Sequence, residues 1–131
     1  MPGRATAVAN GDDLVRKVVA LAATLGLQVR TQVRVARRIW GAIRKIDVVL
    51  TEVSTRRTLG IECKFQNSLG TAEEKIPSTI QDIAAWPIPG LVVFAGEGFS
   101  SNMSAFLIST GKAVEFEDLK AWLSLYFGLP E

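Results

Sequence analysis

The chain has 131 residues, 48% hydrophobic and 21% charged, with a mean hydropathy of +0.24. This balance supports a single domain, residues 1–131, with its own core and argues against a disordered chain. No apolar run approaches the ~18 residues of a membrane span, and the opening MPGRATAVANGDD holds no apolar segment suited to secretion, so a cytoplasmic protein without membrane contact is expected. With one cysteine and no histidine, an internal disulfide, the usual zinc sites and a Ser-His-Asp triad are excluded, and any bound metal must be a hard ion on carboxylates and carbonyls. The net charge of +2 splits into +7 over residues 1–60 and −5 over residues 61–131. Such a basic half is either the footprint of a polyanion or a solvated face.

Asn10 or Gly11 starts a predicted helix, with Asp12 and Asp13 suited to its positive first turn. Leu14, Val18, Leu21, Ala22 and Leu25 form its apolar stripe, and Gly26 is placed to end it. From Leu27 the period changes to two. Leu27, Val29, Thr31, Val33 and Val35 take one face of a strand, and Gln28, Arg30, Gln32 and Arg34 the other. A turn region at Trp40-Gly41 precedes a second strand from about Ile43 to Glu52. Ser54–Arg57 turns the chain into a third strand from about Thr58 to Gln66. Three strands after one helix read most simply as a meander.

Residues 72–75 predict a helical turn and 77–85 a main helix, with Ile76, Ile80, Ile83 and Ala84 on its core side. Thr71 and Glu74 match a capping box, and Pro77 suits a first turn. Leu91–Ala95 is an uninterrupted apolar run, as in a strand buried on both faces. Gly96–Phe99 reads as a loop. Helices around 101–109 and 117–127 follow, the last with Leu119, Trp122, Leu123 and Tyr126 at core spacing. Trp86 and Trp122 read as core residues, and Trp40 either packs or stacks a base. The fold class is therefore α/β, with a core over about 10–95 of helix, three-strand meander, helix and strand, a mixed sheet, and a helical extension over about 100–128.

The third strand carries the chemistry. Leu59, Ile61, Cys63 and Phe65 alternate with Glu62, Lys64 and Gln66, so the polar three share a face and Cys63 reads as a packed, inert thiol. In the second strand Asp47 sits among Ile46, Val48, Val49 and Leu50, where a carboxylate is costly unless paired or metal-bound. A hairpin around 54–57 brings Asp47 beside Glu62. Two carboxylates can hold Mg²⁺, aided by the Cys63 carbonyl, while Lys64 can orient or deprotonate a water and counter charge on phosphorus. A structural Asp–Lys–Glu cluster on a wet sheet face is the alternative.

Lys45–Val49 followed by Ile61–Gln66 resembles the signature of the PD-(D/E)XK nuclease superfamily, the restriction-endonuclease-like fold of many restriction enzymes, Holliday-junction resolvases and small phage or mobile-element nucleases. The motif's proline position is held by Ile46. The resemblance implies Asp47 and Glu62 as metal ligands, Lys64 as the catalytic lysine, and Gln66 as the glutamine some members carry just after it. Asp12 or Asp13 matches the acidic residue many members place on the first helix, although capping explains both. Gly70–Pro77 resembles a stretch found in some members, and Lys75 near that helix start suits either a phosphate or solvent. The implied activity is Mg²⁺-dependent (Mn²⁺ being a second candidate) DNA endonuclease action, without an organic cofactor. Arg30, Arg34, Arg37, Arg38, Arg44 and Lys75 would serve the DNA, and a homodimer would serve paired cuts. A non-catalytic nucleic-acid-binding or assembly subunit on the same fold is the rival reading.

Overall fold

The computed structural model describes residues 8–37, 43–66, 76–97, 99, 105 and 109–130, and within these the side chains of 36, 37, 43, 44 and 76–78 lie outside the description. Helix α1 (Gly11–Thr24) begins where Asn10 leaves the extended backbone. Its Oδ1 accepts the Asp13 N–H at 2.8 Å, and Asp13 Oδ2 accepts the Ala9 N–H at 2.8 Å. Two otherwise unpaired donors are thus satisfied reciprocally. Asp13 also meets Arg16 and Lys17, each at 3.6 Å. It is a capping residue held by its own helix. Gly26, at φ +79°, takes the left-handed turn that releases the chain into the sheet.

Five strands follow: β1 (Gln28–Arg37), β2 (Ile43–Glu52), β3 (Arg57–Phe65), β4 (Gly90–Ala95) and β5 (Ala113–Glu115), ordered β1-β2-β3-β4-β5. The first three form an antiparallel meander, while β4 is parallel to β3 and β5 to β4. The sheet is therefore mixed. Glu52 sets the β2–β3 register: its carboxylate accepts the Ser54 N–H at 2.7 Å and the Thr55 N–H at 3.2 Å, and its carbonyl accepts the Arg56 N–H at 2.7 Å. The ladder then runs from Glu52↔Arg57 to Val48↔Ile61.

Helix α2 (Ile76–Ala84), with Pro77 in its first turn, makes the crossover to β4, and α3 (Leu119–Phe127) follows a short 3-10 turn, Phe116–Asp118. Leu14, Val18 and Ala22 of α1 and Leu119, Leu123 and Phe127 of α3 cover one sheet face, built from Val48, Leu50, Leu59, Ile61, Leu91 and Val93. On the other face Ile83 packs with Val92, Phe94 and Ala113, flanked by Ile80, Trp86 and Phe99. Gly60 and Gly90 let Trp86 lie directly on the strands, since a Cβ at either position would stand 2.9 Å from its Cε3.

The order helix, meander, helix, strand holds. Three details differ. Strand β5 was not anticipated, because three residues are too few to display a period. Ala84 is exposed rather than on the core side of α2, and Trp86 and Trp122 are only partly buried, Trp122 stacking on Tyr126 at 5.1 Å. The turn expected at 72–75, the Thr71–Glu74 pair, Trp40 and nearly all of the helix expected at 101–109 fall outside the described residues.

Candidate active site

The β2–β3 ladder stops at Val48↔Ile61, but each strand continues with its other neighbour, β2 with β1 as far as Arg37↔Ile43 and β3 with β4 as far as Phe65↔Ala95. The sheet therefore forks. Asp47 and Glu62 are the first residues past the last shared rung, one on each branch.

Alternation also breaks here. Val48 belongs to the α1 side, yet Ile46 reaches the opposite side, its Cγ2 lying 3.3 Å from where a Gly60 Cβ would stand. In β1 the rung opposite Asp47 is skipped, between Thr31↔Val48 and Val33↔Ile46, and the skipped residue, Gln32, has φ +51°. A left-handed non-glycine residue costs backbone energy. Asp47 thus leaves the usual up-down pattern, and its Oδ2 accepts the Cys63 N–H of β3 at 2.9 Å. That N–H would otherwise be an unpaired donor at the fork.

Gly60 N–H donates to Pro89 O at 2.8 Å and Gln66 N–H to Ala95 O at 3.1 Å. With the two-residue period of a strand, the main chains of Glu62 and Lys64 face β4, while those of Ile61, Cys63 and Phe65 face β2. The Cys63 carbonyl consequently opens into the fork beside its own N–H. Lys64 Nζ lies 3.5 Å from Glu62 Oε2, and both side chains are partly exposed. Their strand neighbours Val92 and Phe94 place them on the α2 side of the sheet.

The electrostatics are those of two crowded acids. Burial, then the Asp47 carboxylate, push the Glu62 carboxyl up to about 7, against the pull of Lys64. Burial and the same two carboxylates raise the Cys63 thiol further, which makes it a poor nucleophile. One ammonium faces two acidic groups, so the site is short of positive charge. A hard divalent cation fits that deficit, with oxygens available from Asp47, Glu62 and the Cys63 carbonyl. Among the described residues no third Asp, Glu, Cys or His completes a metal cluster, so the remaining ligands would be backbone or water oxygens.

The structure thus brings together Asp47, Glu62, Lys64 and the Cys63 main chain. Gln66 ends the same face but is buried, with the Gly96 main chain packed on its own. Arg30 and Arg34 are exposed on β1. Arg37 and Arg44 have register positions only, and Arg38 and Lys75 lie outside the described residues. Sequence reasoning missed Gln32, whose left-handed backbone carries no mark in residue type.

Residues 6–122 match the family model described as a PD-(D/E)XK nuclease superfamily domain. The crystal structure of a protein of unknown function, AF1548, superposes with a TM-score of 0.53 at 20% identity, over 78% of this chain and 56% of that one. That likeness concerns the fold, and this chain spans little more than half of that protein. Comparison with curated proteins yields no match. The family match takes in the forked sheet, Asp47 and the Glu62-Cys63-Lys64 segment: the chain belongs to the PD-(D/E)XK nuclease superfamily.

Proposed function

We propose that the chain is a Mg²⁺-dependent endonuclease that hydrolyses DNA phosphodiesters, acting as a homodimer. The observation that carries this reading is the fork. Two carboxyl groups meet there at the end of a parted hairpin, with an ammonium 3.5 Å from one of them. A structural cluster would gain nothing from holding Glu62 against Asp47 at the expense of its ionisation.

Asp47, Glu62 and the Cys63 carbonyl would hold the ion, which when bound supplies Lewis acidity toward water and the phosphoryl group; Mn²⁺ meets the same oxygen donors. Glu62 must release its proton to act as a ligand. Lys64 orients the attacking water and sets positive charge against the phosphoryl oxygens, where charge builds during in-line displacement. Gln66 acts as a positioning residue, its main chain fixing the end of the strand that presents Lys64. The exposed Arg30 and Arg34 contribute phosphate contacts, and Arg37, Arg38, Arg44 and Lys75 are assigned to the same role on their charge alone. Two copies related by symmetry would present two such sites to paired strands.

The test is cleavage of supercoiled plasmid, single-stranded circle and four-way junction by wild type and Lys64→Ala, with Mg²⁺, Mn²⁺ or EDTA. Metal-dependent cutting by wild type, absent in Lys64→Ala although DNA is still bound, is the expected result. A Lys64→Ala protein that cuts at the wild-type rate would remove the lysine from the mechanism.

A further inference from the structure

Beyond the fork, β1 and β2 pair only with each other among the described residues. Their ladder continues through Val33↔Ile46, Arg34↔Lys45, Ala36↔Arg44 and Arg37↔Ile43, while β3 has left to pair with β4. The outcome is a two-stranded ribbon that runs on for roughly 13 Å past Asp47, at about 3.3 Å per residue. A register shift between Arg34 and Ala36 adds local twist.

The charge of the ribbon is one-sided. Residues 28–46 hold six Lys or Arg and no Asp or Glu. Arg34 stands directly opposite Lys45, and both are exposed. Like charges on opposed positions of a ladder destabilise it. Among the described residues neither has a carboxylate partner to relieve this repulsion, and an external anion would do so. The next two rungs place Arg44 and Arg37 at register positions further out.

Dimensions narrow the anion. A two-stranded ribbon is admitted by the major groove of B-form DNA, about 12 Å wide, whereas a minor groove of about 6 Å must first be widened by bending the duplex to take it. The major groove of an A-form RNA helix is too deep and narrow for side chains to read. A single strand offers no groove. Resting on the nuclease reading of the fork, we propose that the β1–β2 ribbon enters the major groove of duplex DNA, making double-stranded DNA the substrate of the Asp47–Glu62–Lys64 site. Arg34 and Lys45 then contact phosphates on the groove walls, and the ribbon's base holds the backbone next to Asp47.

The experiment measures binding in EDTA, where the outcome does not depend on whether the fork catalyses anything. A 30-base-pair DNA duplex, one of its strands and the RNA duplex of the same sequence are titrated with wild type and with Arg34→Ala/Lys45→Ala across a salt series. Wild type should bind the DNA duplex at least tenfold more tightly than either other probe. It should also shield guanine N7, a major-groove atom, from methylation while adenine N3 in the minor groove stays reactive. The double variant should lose about tenfold in duplex affinity, and its log K against log salt should flatten by roughly two. Arg34→Lys/Lys45→Arg, which keeps both charges, should restore the wild-type slope. Equal binding of the RNA duplex or the single strand, protection of N3 alone, or an unchanged slope in the double variant would each overturn the proposal. Absence of cleavage with the binding pattern intact would instead count against the chemistry assigned to the fork.

Discussion

Replacing Glu62 with glutamine should stabilise the metal-free protein at pH 8 and do so far less at pH 5. The Glu62 carboxyl is raised from 4.5 to about 7 in the folded chain. Between those values the folded state keeps a proton that the unfolded state has lost, so rising pH favours unfolding. The stability associated with this group is complete below pH 4.5 and is gone once the pH has passed 7. A shift of this size corresponds to roughly 3 kcal/mol at most, and partial exposure beside Lys64 reduces the expectation to roughly 2 kcal/mol. For a domain of this length that is a Tm difference of roughly 6–10 °C. The assay is thermal unfolding of wild type and Glu62→Gln from pH 5 to pH 8.5 in EDTA, then with Mg²⁺. Titrating groups remote from Glu62 are common to both proteins and cancel in the difference. Wild type should lose stability across the window, Glu62→Gln should lose less, and Mg²⁺ should recover the loss at pH 8 in wild type alone, since the ion needs the ionised carboxylate. Parallel pH curves for the two proteins would refute the reasoning, because Glu62 would then ionise beside Asp47 without penalty.

Gly96→Ala should destabilise the fold by roughly 3 kcal/mol or more in urea titrations, because its Cβ would stand 2.1 Å from the Gln66 carbonyl oxygen at φ +106°. Gln32→Gly should be neutral or stabilising by up to about 1 kcal/mol, whereas Gln32→Val should destabilise by about 2 kcal/mol, since φ +51° suits glycine and opposes a β-branched residue. Tyr126→Phe should lower stability by about 1 kcal/mol, because the Tyr126 hydroxyl donates to Thr58 O at 3.2 Å while the Arg57 guanidinium lies 4.4 Å above its ring and stays there in the variant.

The parts of this fold written in side-chain pattern were legible. The helical stripe Leu14, Val18, Ala22 and the alternating Leu59, Ile61, Cys63 place α1 and β3 on the shared core they occupy. A carboxylate inside the apolar run of β2, fifteen positions before Glu62, marked the pair that the fork brings together. The fork itself has no such signature. Ile46 and Val48 are both apolar and both buried, so hydropathy cannot reveal that they face opposite sides of the sheet. Only the main chain records the break, through the skipped rung at Gln32 and the Cys63 N–H turned from a ladder partner to the Asp47 carboxylate. The ribbon follows from the same break, because where β3 departs, β1 and β2 have no other strand to pair with among the described residues. A single interruption of pairing therefore creates both the acidic fork and the basic arm beside it. Periodic residue types specify the elements, but the point where two of them part is decided by hydrogen bonds that any residue can make.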